Sequence, residues 1–172
     1  IVNLGSSHGL YAFDYSESSL RGFNFALNSQ DLFYDFQLLR QYKNHMIPTK
    51  TVVLIPVSYF SFSLDNGTTE TDSRYYRILK PHLIVNFTLT KYLKFRFLPV
   101  LSAGSSLASI VWDKPAETFL NMDRNRFDEE TIEDEAESTA ARHIDYIENN
   151  GFHKGVLLLK EIIGFCQELD WK

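Results

Sequence analysis

The stretch Ile1-Val2-Asn3-Leu4-Gly5-Ser6-Ser7-His8-Gly9 decides how the rest of the chain is read. Three apolar residues in a run of four describe a short buried strand, and Gly-Ser-Ser-His-Gly after it describes a tight, polar loop flanked by glycines. In an open parallel α/β sheet such a loop lies at the carboxyl end of its strand, where ligands bind and a nucleophile can be presented. Gly5 and Gly9 permit backbone angles that a Cβ resists, so the serines between them can sit on a sharp turn. Serine and glycine are also ordinary turn formers, so the loop alone fits a plain turn as well.

The neighbouring elements favour a sheet around this strand. Phe23, Phe25 and Leu27 alternate along Gly22–Leu27 in the manner of a strand. Asn28 or Ser29 can cap the next helix, and Asp31 in its first turn complements the dipole. Leu32, Phe33, Phe36 and Leu39 form that helix's apolar stripe, which should run to about Lys43 and be closed off by Pro48. Thr51–Val57 is a continuous β-branched and apolar run, the pattern of a strand buried on both faces. Strand, loop, strand, helix, strand is the order of a parallel, doubly wound sheet.

Further along, Asp72 or Ser73 can cap a short helix through Lys80, ended by Pro81. Residues 82–112 are apolar and aromatic with scattered Lys and Arg, and read as one or two helices broken near Pro99 and Gly104. Residues 121–137 are densely acidic and lack the calcium-loop order of ligands and glycine, so they read as a solvated segment. Two helices come next, over 138–149 and 152–169, the second with Val156, Leu159, Ile163 and Cys166 along one face.

With 172 residues, 44% apolar and 23% charged, the chain fits one globular domain spanning residues 1–172, with a helical insertion around 64–137. A net charge of −5, with no cluster of Lys and Arg interleaved with aromatics, argues against a nucleic-acid partner. The single cysteine, Cys166, excludes an internal disulfide and a cysteine metal cluster. No pair of histidines has zinc-ligand spacing, so neither a metal nor another cofactor is expected. The chain begins without Met inside a strand and stops where another strand is due. It therefore reads as a piece of a longer protein, which leaves room for an upstream membrane anchor.

On these elements the chain resembles the SGNH (GDSL-like) hydrolase superfamily, in particular a bacterial branch with Gly-Ser-Ser as its first block that includes cell-envelope O-acyltransferase-like proteins. The first block falls on Gly5-Ser6-Ser7, and the resemblance implies that Ser7 is the nucleophile and its N–H an oxyanion donor. The second block falls on Asn24–Gln30, with Ser29 where the family has an oxyanion glycine. The third falls on Pro56-Val57-Ser58-Tyr59, with Ser58 in place of an asparagine. His8 and Asn28 are implied to contact substrate. The implied fold is a three-layer α/β/α sandwich around a parallel sheet of SGNH or flavodoxin-like type, incomplete at its C-terminus.

The implied activity is that of a serine-dependent acyl-ester hydrolase or O-acyltransferase acting on a cell-envelope or capsular carbohydrate. The family's Asp-x-x-His block, which supplies the general base, does not occur in the sequence. A serine hydroxyl is a poor nucleophile without a base, so this stretch alone is expected to be inactive. His143 and His153 read as surface residues of the terminal helices, and His45 and His82 as parts of connections. The competing reading is a non-catalytic α/β module that holds a ligand in the same crevice. A phosphate-binding flavodoxin-like domain ranks below both, because no helix is evident after the first loop.

Overall fold

The computed structural model describes residues 1–16, 19–62, 72–97, 136–141, 144–145 and 152–172. The chain divides into two units, Ile1–Thr71 with Ile144–Lys172, and Asp72–His143.

The first unit is built on three parallel strands, β1 (Val2–Asn3), β2 (Phe23–Asn24) and β3 (Val53–Leu54), in the order β2-β1-β3. The protein is thus a mixed α/β fold with a small parallel sheet. Hydrogen bonding extends past the strands proper. Val2 and Leu4 donate to the Val52 and Leu54 carbonyls, while Phe23, Phe25 and Leu27 donate to the carbonyls of Ile1, Asn3 and Gly5. The central strand therefore carries β2 as far as Gly5 and β3 as far as Leu4. At the outer edge of β3, the Lys172 N–H donates to the Thr51 carbonyl at 3.0 Å and the Val53 N–H to the Lys172 carbonyl at 2.6 Å. These two bonds have the slanted alternation of a parallel pair.

Helix α1 (Ser7–Ala12) follows β1 and takes in Ser7, His8 and Gly9, which the sequence reads as part of the loop; the turn between strand and helix is thus shorter than expected and ends at Ser6. Its last turn is closed from outside. Asn24 Nδ2 lies within hydrogen-bond range of the Gly9, Leu10 and Phe13 carbonyls, at 3.0 to 3.3 Å, and so serves acceptors that have no partner within the helix. Gly9 is where this helix meets the sheet: a Cβ there would run into the Leu4 carbonyl and come within 2.9 Å of the Ala26 side chain.

Helix α2 (Leu32–Tyr42) is capped by Asp31, whose carboxylate accepts from the Tyr34 N–H, and not by Asn28 or Ser29. The turn after β2, closed by the Gln30 N–H on the Leu27 carbonyl, uses Asn28 and Ser29 before the helix can begin. The helix continues as a 3-10 turn over Lys43–His45. It buries Leu32, Tyr34, Asp35, Gln37, Leu38 and Leu39, while Phe33 and Phe36 are only half-buried. Burial thus covers a broader arc than the expected stripe. Phe36 meets Phe165 of the C-terminal helix (Phe152–Glu168) edge-on at 5.5 Å, and Phe165 in turn meets Trp171 at 6.1 Å.

Two expectations from apolar pattern are corrected. On the C-terminal helix the buried residues are Gly155, Ile162 and Cys166, and Ile163 is exposed, because the contact face is centred one position earlier. The third strand, expected to be buried on both faces, has Val53 and Leu54 half-buried and Val57 exposed. A β-branched run favours strand geometry whether or not both faces are covered.

In the second unit, α3 (Asp72–Ile78) and α4 (Leu89–Phe97) form a hairpin around Tyr76. The Tyr76 ring is fully buried and stacks on Phe87 at 5.7 Å, with Phe95 at 5.9 Å. Its hydroxyl accepts from the Thr88 N–H and donates to the Asn86 carbonyl. Pro81 starts a 3-10 turn over Pro81–Leu83, as expected of a residue that ends one helix and fits the first turn of the next. The expected breaks at Pro99 and Gly104 and the acidic run to Glu135 lie outside the described residues.

Gly9→Ala is expected to lower stability by roughly 2–4 kcal/mol, because either α1 or Leu4 must move to admit the methyl group. Urea unfolding of the two proteins measures it, and an unchanged midpoint would refute the close approach.

Candidate functional site

The strand order brings three connections together at the carboxyl ends of the strands: Gly5–Ser6, leading into α1, after β1, Leu27–Gln30 after β2 and Pro56–Ser58 after β3. Of the residues expected to act at the site, Asn28, Ser29 and Ser58 belong to these connections, while Ser7 and His8 are the first two residues of α1. In the order 2-1-3 the carboxyl ends of β1 and β3 are neighbours. Gly5 and Pro56 face each other there, and a Cβ on Gly5 would lie 3.3 Å from Pro56 Cδ. Gly5 adopts φ +100°, a conformation open to glycine and strained for other residues.

The central fixture is a residue that does not stand out in the sequence. Asp35 on α2 is 1% exposed, and one carboxylate oxygen, Oδ1, accepts both the Gly5 N–H at 2.8 Å and Gln30 Nε2 at 2.6 Å. Gln30 also donates to the Phe25 carbonyl. One buried oxygen thus joins the loop after β1, the turn after β2 and the helix beyond it. Burial raises the Asp35 pKa to about 7, with the hydrogen bonds from Gly5 and Gln30 pulling it down less strongly. The available signal is a carboxylate between Tyr34 and Phe36, one turn after the capping Asp31, in a helix otherwise apolar at those positions.

A second buried pair supports the loop from below. Asn3, fully buried in the central strand, donates through Nδ2 to the Gly9 carbonyl at 2.9 Å and to Asn24 Oδ1 at 2.8 Å. Asn24 Oδ1 also accepts from the Ala26 N–H. Both asparagines sit within strands and fix α1, with its first residue Ser7, against the sheet.

Ser6 and Ser7 are half-buried and His8 is exposed. Ser6 Oγ lies 3.4 Å from His8 Nδ1, so the histidine leans toward the first serine of the pair. The Ser7 hydroxyl makes no hydrogen bond among the described residues. Its N–H occupies the first position of α1, where backbone donors have no acceptor within the helix. The Gly5 N–H, by contrast, is taken by Asp35. Ser29 is exposed with φ +56°, the left-handed region that favours glycine. Ser58 pairs with Ser61: their hydroxyl oxygens are 3.2 Å apart, and the Ser58 N–H donates to Ser61 Oγ at 3.1 Å. Ser61, on the 3-10 turn Tyr59–Phe62, has no distinguishing signal in the sequence. Among the described residues no group of His, Cys, Asp or Glu is arranged to hold a metal ion.

Comparison with known proteins finds no matching family model, no matching curated protein and no matching solved structure.

This geometry carries two expected outcomes. With its carboxyl pushed up to about 7, native Asp35 keeps a proton that the unfolded chain releases above the ordinary carboxylate range, so its contribution to stability is full at the acid end and is lost as pH rises toward 7, by on the order of 4 kcal/mol. Asp35→Asn keeps an acceptor oxygen for both donors and is expected to abolish this decline, leaving the variant more stable than the parent at pH 8. Urea midpoints across that range test it, and parallel curves for the two proteins would refute it. Ser29→Gly is expected to raise stability by about 0.5–1 kcal/mol through relief of the left-handed backbone, read from the same unfolding curves at constant m-value.

Proposed function

We propose that this chain has an SGNH-like three-layer α/β/α fold with Ser7 as its nucleophile. On this reading it is a serine-dependent acyl-ester hydrolase or O-acyltransferase whose substrate is an acylated carbohydrate of the bacterial cell envelope or capsule. The observation that carries the reading is the Gly5-Ser6-Ser7-His8 stretch, a turn leading into α1 at the carboxyl end of the central parallel strand beside the Leu27–Gln30 and Pro56–Ser58 loops. That is where an enzyme of this architecture presents a nucleophile.

In this scheme Ser7 Oγ attacks the acyl carbonyl carbon and gives up its proton to a base. The oxyanion that forms is held by the N–H groups of Ser7 and Ser29, with the Ser58 hydroxyl beside them. Such donors act by meeting charge that develops only in the transition state. Collapse expels the alcohol, and water or a sugar hydroxyl then takes the acyl group from Ser7. Asn28 and His8, at the rim, contact the substrate. Asp35 holds the loop in shape through Gly5 and touches none of the reacting atoms.

A second reading, a ligand-binding module of the same architecture, is favoured by one observation: the His8 ring faces Ser6, with Nδ1 3.4 Å from Ser6 Oγ.

Labelling of the full gene product with a fluorophosphonate, located by mass spectrometry, separates the two. The enzyme reading expects modification at Ser7, lost in Ser7→Ala and retained in Ser6→Ala. Absence of labelling in the folded parent protein would leave the ligand-binding module.

A further inference from the structure

The α3–α4 hairpin differs in charge from the rest of the protein. Residues 72–97 hold six of the chain's 17 Lys and Arg and one of its 22 Asp and Glu, in a protein of net charge −5. Within the hairpin, α4 turns Tyr92 and Phe95 inward: Phe95 packs on Tyr76, and Tyr92 lies 5.6 Å from Phe87. Leu89, Leu93 and Phe97 point the other way and are 64%, 48% and 68% exposed. At about 100° per residue these three fall within an arc of about 80°, with Arg96 bordering one side and Thr90 followed by Lys94 the other. Lys91, Lys94 and Arg96 are exposed, and the helix carries no acidic residue. Arg96 donates to the Arg77 carbonyl at 2.7 Å and lies over the Tyr92 ring, which fixes its place beside the stripe.

We propose that this face of α4 docks on an anionic lipid surface. An apolar stripe of Leu and Phe edged by cations is the pattern of a helix lying in the plane of a membrane interface, with its apolar side among acyl chains and its cations at anionic headgroups. A soluble acidic partner would satisfy the cations and leave Leu89, Leu93 and Phe97 in water, so the stripe selects the bilayer. Charge complementarity selects an anionic bilayer over a neutral one. Among the described residues no helix is long and apolar enough to cross a membrane, and the proposed contact is interfacial. It is independent of the chemistry assigned to Ser7.

The test is co-sedimentation of the full chain with vesicles of phosphatidylcholine alone, and with vesicles of equal parts phosphatidylglycerol and phosphatidylcholine, at low and high salt. Binding is expected to the anionic vesicles only and to weaken with salt. Lys91→Glu combined with Lys94→Glu, and separately Leu93→Ser combined with Phe97→Ser, are each expected to weaken it by about tenfold or more. All four side chains are exposed, and an unchanged circular dichroism spectrum and urea midpoint establish that the variants fold. No binding to anionic vesicles overturns the proposal, as does binding that both double variants retain. Binding to soluble polyglutamate that matches the vesicle affinity and survives Leu93→Ser/Phe97→Ser overturns it in favour of an acidic polypeptide. Self-association that is lost in that variant, without vesicle binding, overturns it in favour of a second copy of the chain.

Discussion

The first unit depends on a single buried oxygen. Asp35 Oδ1 takes the Gly5 N–H and the Gln30 side-chain amide together, and so holds the loop after β1 and the turn after β2 to the helix between β2 and β3. A buried acceptor with two donors is satisfied, whereas two buried donors without it would each carry a desolvation cost. The same burial that makes the hydrogen bonds strong makes the charge expensive, and this is why the carboxyl pKa rises to about 7. The loop's geometry is therefore tied to a group whose protonation changes near neutrality.

Around this oxygen the sheet is built on polar side chains as much as on apolar ones. Asn3 and Asn24, adjacent on the central and edge strands, bind each other and the end of α1. Their amides serve as a helix cap, and so a six-residue helix can hold its place where its own length would leave it marginal. Gly9 completes the arrangement by allowing α1 to approach the Leu4 carbonyl. Ser7 is positioned by its neighbours: Gly5 fixes the turn before it, and Asn3 and Asn24 fix the helix it begins.

The two units obey different rules. The first is a parallel sheet whose polar residues are buried and paired at the loop edge. The described part of the second is a hairpin folded around Tyr76 that leaves Lys91, Lys94 and Arg96 outside together with the apolar Leu89, Leu93 and Phe97. In the first, buried polarity shapes a candidate reaction site. In the second, exposed apolarity beside positive charge shapes a candidate docking face.

The sequence by itself determined the local elements. Val2 and Leu4 before a glycine-bounded loop, the alternation from Phe23 to Leu27, the β-branched run at Thr51–Val57 and the proline at 81 each mark an element through short-range sterics and hydrophobic period. The order of these elements gave the parallel α/β class, and with it the three strand ends after which Ser7, Ser29 and Ser58 lie. Only the tertiary structure decided that Asp31 caps α2, that Asp35 is buried against Gly5, that Asn24 closes α1 and that Ile163 is exposed. The physical reason is range. Hydrophobic period and turn chemistry act over a few residues, whereas the partners of Asp35 and Asn24 lie up to 30 positions away, and a carboxylate or amide reads the same in sequence whether it faces water or a buried N–H.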